Sequence, residues 1–248
     1  MMVFATFLIL AALTLLVGES RRSALSRKGE DWALDAAGLI IQGIVIPILQ
    51  TTLIYGLFAM LLPQLKGTLD VHPALAFVLN FIGVDYLYYW NHRLLHSTTF
   101  WDTHAVHHTA KQMDLFITSR NTLWSSLLIV YVWVNGLLIF LLKDPRLFIL
   151  AISLTASLDL WRHTSFTFKP QSRWHGLFAL VLITPNEHAW HHSRTKANKN
   201  FGANLSIWDR LHGTYFSPTQ LPETFGIASD LNLTRKLFFP FTPGKVAN

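Results

Sequence analysis

Residues 38–62 form a 25-residue run whose only polar side chains are Gln42, Gln50, Thr51, Thr52 and Tyr55. An uncharged run of that length spans the ~30 Å hydrocarbon layer of a bilayer, where only structures that pair their own backbone groups are viable. Further apolar runs cover Met2–Val17, Ala74–Trp90, Thr122–Leu142 and the shorter Leu147–Trp161, which holds Asp159. No basic residue precedes the first run and no small-x-small cleavage pattern comes after it, so it reads as an anchor, not a signal peptide. Only 14% of the chain is charged, against ~25% in soluble domains. The expected fold is an all-α, integral-membrane helical bundle of four or five spans. Residues 1–73 would supply an anchor and a hairpin, and residues 74–248 a second domain with a cytoplasmic helical cap.

Threading these runs alternately places 17 of the 20 Lys and Arg residues on one side and three (Lys66, Lys143 and Arg146) on the other. The basic side is expected to be cytoplasmic, as in a bacterial inner membrane or the endoplasmic reticulum. The net charge of +6 therefore reflects topology and contact with anionic headgroups; no nucleic-acid partner is expected. The chain has no Cys, which excludes disulfides, thiolate metal sites and Cys nucleophiles. From Phe201 onward it is rich in Pro, Gly and Thr and is expected to pack onto the helical body.

Nine of the twelve His fall into four groups, all on the basic side: His92 with His96; His104, His107 and His108; His163; and His188, His191 and His192. Residues three and four apart share a helical face, so each multiple group should present its imidazoles together. At this chain's His frequency, chance H-x-x-H-H matches number on the order of 0.03, yet two occur. So many imidazoles packed without a cation would face desolvation and mutual repulsion on protonation. Nine also exceed one four-coordinate site, which points to two ions. Ligand type alone leaves Zn, Cu, Fe and Ni open. His72, His175 and His212 stand apart and read as ordinary hydrogen-bonded or surface residues.

At these boxes the sequence resembles the fatty acid hydroxylase and sterol desaturase superfamily of integral-membrane di-iron oxygenases. The likeness runs from Asp85-Tyr-Leu-Tyr-Tyr-Trp-Asn-His, through Phe100-Trp-Asp-Thr-His-Ala-Val-His-His and His163-Thr-Ser-Phe, to Thr184-Pro-Asn-Glu-His-Ala-Trp-His-His-Ser and Asn200-Phe-Gly-Ala-Asn-Leu-Ser-Ile-Trp-Asp. The resemblance implies two Fe ions, with zinc able to substitute in isolated protein, and O2 as co-substrate. Carried over, the ligands would be His92, His96, His104, His107, His108, His163, His188, His191 and His192. It further implies oxidation of an unactivated lipid C–H bond, with hydroxylation ahead of desaturation. Alternatives from other classes are a non-catalytic metal-binding membrane protein and a di-zinc membrane hydrolase, whose turnover would survive without O2.

No nucleotide-binding glycine motif or haem-attachment motif is present. Electrons for an oxygenase would therefore come from a separate cytochrome b5-like, ferredoxin-like or reductase-like donor, while the lipid enters from the bilayer. Asp159, four residues before His163, and Asp85, seven before His92, are spaced to accept a ligand's second N–H and fix its tautomer. Asp102, Glu187 and Asp209 are weaker choices for that role. Most of the nine Trp, including Trp90, Trp101, Trp174 and Trp208, lie near span ends or in the His region, as in an interfacial belt.

Overall fold

The computed structural model describes residues 1–241, and the last seven residues of the tail lie outside it. Among the described residues the chain is all-helical, with β-pairing limited to three isolated bridges. Helix α1 (Met2–Leu16) turns through 97° into α2 (Gly18–Leu25). Helix α3 (Gly29–Leu61) is continuous through two π-helical turns, and α4 (residues 73–95) contains a third. After α5 (Trp101–Ala105) and a series of 3-10 turns come α6 (Val130–Leu141), α7 (Arg146–Arg162), α8 (Arg173–Ala179), α9 (Pro185–His191), α10 (Ile207–Leu211) and α11 (Leu233–Phe238).

The long helices pack side by side in the order α1, α7, α4, α6, α3. Ala76, Val84, Leu142 and Phe148 form the buried core between α4, α6 and α7. Among the described residues one helix, α3, is long and apolar enough to cross a membrane, and little of that stretch is fully buried; α1 with α2 qualifies only as a bent pair. The run at 122–142 is helical only from Val130, and 3-10 turns occupy 115–117 and 125–128. Hydroxyl chemistry accounts for the difference. Ser125 Oγ donates to Thr122 O, and Thr122 Oγ1 donates to Lys236 O, giving the backbone partners other than a helix ladder.

Two connections meet at one end of the bundle. The loop after α3 and the one between α6 and α7 pair at Leu69–Leu142, with Gly67 N and Leu69 N donating to Phe140 O and Leu141 O. Helices α4 and α7 both start at that end and deliver His92, His96 and His163 to the other. There the segment after α5 lies against α3 so closely that a Cβ on Gly38 would sit 1.9 Å from Ser119 O. Ion pairs reinforce this seam: buried Arg120 engages buried Asp35 and the part-exposed Asp31 at 2.6 and 2.8 Å, while Arg27 bridges Asp35 and Asp114.

Candidate metal centre

The nine clustered histidines converge, and they divide. His92, His96, His104, His108 and His191 form one group, and His107, His163, His188 and His192 another; within each, one nitrogen per ring lies within 4.8 Å of the rest. The groups touch, with the His108 and His192 rings 4.8 Å apart. The partition departs from the expectation that each box presents all its imidazoles together. Around an α-helix, positions four apart differ by about 40° and positions three apart by about 60° the other way. On α9 this keeps His188 with His192 and sends His191 to the other group; in the first box α5 ends at Ala105 and a 3-10 turn carries His107 and His108, yet His104 stays with His108 while His107 crosses.

Local structure explains how the rings are held. Helix α9 starts with a capping box, Thr184 with Glu187, and Pro185 in its first turn, which fixes where His188, His191 and His192 emerge. Four rings donate Nδ1–H to backbone carbonyls: His92 to Phe201 O (2.8 Å), His107 to Arg120 O (3.1 Å), His163 to Asp159 O (2.8 Å) and His191 to Lys199 O (2.7 Å). A carbonyl can only accept, so each of these rings carries a proton on Nδ1 and turns Nε2 inward, and the neutral His92, His107 and His191 present that Nε2 bare.

Those inward nitrogens test the fit to a metal. His107 Nε2 and His163 Nε2 face each other at 3.5 Å. Other Nε2 pairs lie at 2.9 Å (His163–His188), 3.1 Å (His92–His104) and 3.2 Å (His188–His192). Two nitrogens bound to one ion at ~2.1 Å are separated by about 2.9–3.4 Å. The nitrogens His96 Nδ1 and Nε2, His108 Nε2, His188 Nδ1, His191 Nε2 and His192 Nδ1 are buried with no hydrogen-bond partner. Protonation does not relieve the crowding. Burial, reinforced by neighbouring imidazoles, pushes His107 and His191 down to about 3 and His96 to about 2, with His92, His104, His108, His188 and His192 also well below the ordinary range. An all-nitrogen donor set in which eight of the nine rings are held neutral fits two transition-metal ions.

The two carboxylates expected behind the ligands differ. Asp159 does approach His163, its Oδ1 lying 3.3 Å from Nδ1, and it is also paired with Arg162. Asp85 does not reach His92. It accepts instead from Asn204 N (2.9 Å), Leu205 N (3.2 Å) and Trp208 Nε1 (2.9 Å). Asp209 takes the same loop from its other end, accepting from Phe201 N (2.8 Å), Gly202 N (2.7 Å) and Thr214 Oγ1 (2.6 Å). Two buried acids therefore stretch residues 201–205 between them, and the Phe201 carbonyl they position is the one that orients His92. Asn200, in the left-handed region at φ 57°, locks the preceding turn by donating to Glu187 O and Phe216 O.

His175 and His212 are outside both groups. His175 pairs with the buried Glu187 carboxylate at 2.8 Å, and His212 stacks on Tyr86 and Tyr89 with Nε2 3.1 Å from Tyr86 Oη. His72 caps α4 by accepting from Ala74 N, and Asp102 lies half-buried in α5. The acceptor role of Arg120, Lys199 and Phe201 carries no sequence signal, because every residue has a carbonyl.

A family model for fatty acid hydroxylase matches residues 77–214, more than half of the chain and every histidine of both groups. The chain belongs to the fatty acid hydroxylase family. Similar proteins include the alkylglycerol monooxygenase of Danio rerio, 32% identical over 60% of this chain and 32% of the relative, and that of Homo sapiens, 28% identical over 61% and 33%. The ornithine lipid hydroxylase OlsE of Rhizobium tropici is 30% identical over 64% of this chain and 46% of its own length. The chain thus spans about a third of the alkylglycerol monooxygenases and under half of OlsE. No solved structure matches it. Within the fatty acid hydroxylase segment, the matched span ends at Thr214, the residue that hydrogen-bonds Asp209.

Proposed function

We propose that this protein is a multi-pass membrane enzyme that hydroxylates a C–H bond of a membrane lipid, using O2 and two irons held by the five-His and four-His groups. The observation that carries this reading is the partition itself: two adjoining buried clusters whose neutral imidazoles turn unpaired nitrogens inward. When bound, the iron pair supplies O2 activation: one oxygen atom enters the C–H bond and the other leaves as water, with two electrons and two protons. His92, His96, His104, His108 and His191 would hold one ion, and His107, His163, His188 and His192 the other.

The remaining residues orient and dry the site. Carbonyls of Phe201, Arg120, Asp159 and Lys199 keep the ligand protons on Nδ1. The rings of Trp101 and Phe201 close over the five-His group, 5.1 Å from His96, and Tyr88, stacked on Tyr131, lies 5.4 Å from His92. These aromatic walls exclude water from a centre that must oxidise a hydrocarbon.

The relatives act, by name, on alkylglycerols and on an ornithine lipid, so polar lipids with long alkyl chains are the substrate class we propose. A separate electron-donor protein would approach from the cytoplasmic side, where we place the His groups. Purified protein loaded with iron, given reductant, isotopically heavy O2 and a panel of alkylglycerols and ornithine lipids, is expected to yield a product carrying one heavy oxygen. No product and no O2 uptake with both groups loaded would refute the proposal.

A further inference from the structure

Six large apolar side chains, Trp174, Leu177, Leu180, Val181, Ile207 and Leu211, are 51–66% exposed yet lie outside every apolar run long enough to suggest a span. They belong to α8, the turn after it, and α10. These elements form one unit: Ser206 N donates to Val181 O, Ser206 Oγ and Arg210 Nη2 both donate to Ala179 O at 2.9 Å, and Leu182 bridges Leu205.

We infer that the α8–α10 face is seated in the bilayer leaflet on the histidine side, so that this flank of the cap is embedded in lipid rather than bathed in water. Continuity is the first reason. Trp208 of α10 packs 4.5 Å from Tyr86 of α4 and donates to Asp85, and His212 sits against Trp90. Helix α4 carries an exposed row of Leu87, Trp90 and Leu94, so the apolar face of the cap adjoins an apolar face of the bundle.

Charge complementarity is the second. Residues 165–186 contain Lys169 and Arg173 and no acid, and Arg210 borders the patch from α10. Arg173 lies over the Trp174 ring and Arg210 over Tyr215. Cations beside exposed Trp and Leu side chains are the composition of a helix lying at the headgroup boundary, where an apolar face sinks ~5–10 Å and Arg and Lys meet anionic lipid. A water-facing surface of the same shape would be an uncovered apolar patch, which soluble proteins avoid.

Because the chain has no Cys, a single introduced thiol carries the only spin label. Leu177→Cys and Leu211→Cys are labelled in the full chain in vesicles of phosphatidylcholine and phosphatidylglycerol, with Ile48→Cys on α3 as the lipid reference and Lys196→Cys as the aqueous one. The expected O2-to-nickel-chelate accessibility ratio at 177 and 211 is several-fold above that at 196 and below that at 48. Ratios at 177 and 211 equal to that at 196 would overturn the inference, as would dipolar broadening that puts a second copy on this face. The inference rests on the membrane reading in the proposed function, and the references separate the two failures. An aqueous label at 48 defeats the membrane reading itself, whereas a lipid-exposed 48 with aqueous 177 and 211 defeats only the seating of the cap.

Discussion

Asp209→Asn tests whether the metal site depends on a residue that touches no ligand. The Asp209 carboxylate is fully buried and accepts two backbone N–H groups, of Phe201 and Gly202, along with the Thr214 hydroxyl. An amide of the same shape keeps one oxygen, so one buried N–H faces an NH2 group and loses its acceptor. An unsatisfied buried donor costs about 1–3 kcal/mol. Thr214 escapes by turning to Tyr89 Oη, 2.9 Å away, so the loss concentrates on the loop. The loop can recover the missing bond only by displacing the Phe201 carbonyl, and His92 Nδ1–H then loses its partner. Disturbing a group that orients a metal-bound His costs about 10–100-fold in affinity. The variant should therefore bind metal that much more weakly in the five-His group and normally in the four-His group. Metal content against rising chelator would show one ion leaving early and one late. Simultaneous loss of both ions, or a chelator profile identical to the parent's, would refute the chain from Asp209 through Phe201 to His92.

The geometry sets four further outcomes. His107→Ala should empty the four-His group and His191→Ala should weaken the five-His group, although the two residues belong to opposite boxes; metal analysis of each variant checks the crossing, and full activity in either refutes the ligand set. Arg120→Ala leaves the buried Asp35 with Arg27 as its one remaining cation; breaking such a buried pair costs about 3–5 kcal/mol, read as a lower Tm. Gly38→Ala drives a methyl into Ser119 O and should destabilise by about 1–3 kcal/mol; the displaced peptide leads into Arg120, whose carbonyl orients His107, so weaker metal retention in the four-His group should accompany the lower Tm. In metal-free protein, burial holds His107 and His191 near 3, against ~6.5 when unfolded. The unfolded chain therefore binds more protons below that value, so stability is full above about pH 6.5 and falls as pH drops toward 3. Melting temperatures of chelator-stripped protein that stay level across that window would contradict this.

How far the structure was legible in sequence differs by feature. Apolar runs at 2–17, 38–62, 74–90 and 147–161 revealed four of the long helices, because runs of that kind have few other solutions, but α3 starts at Gly29, nine residues before its run. The run at 122–142 misled, since hydropathy does not register that Thr122 and Ser125 hydroxyls hold the backbone in turns against the C-terminal segment. Spacing within the boxes, the shared side in the threading and the family resemblance together pointed to the nine histidines, and the i, i+4 pairs kept company. The crossing of His107 and His191 was not legible, because it depends on where two separate elements dock. Asp85 drew notice for the right reason, a buried acid beside a His box, but its partner is the 204–208 loop. Asp209, twenty-one residues beyond His188 in sequence, had no spacing to link it with His92.

The crossing of the two boxes bears on how such a centre tolerates insertions and deletions. His107 and His108 are chain neighbours that serve different groups, and so are His191 and His192. One residue added within either box rotates every later side chain of that box by ~100° on a helix, which hands each group the donors built for the other. A substitution subtracts one nitrogen; a one-residue change in length scrambles both histidine groups together. Loop length should therefore vary freely between the boxes of relatives, while the count of residues inside each box has almost no room to drift.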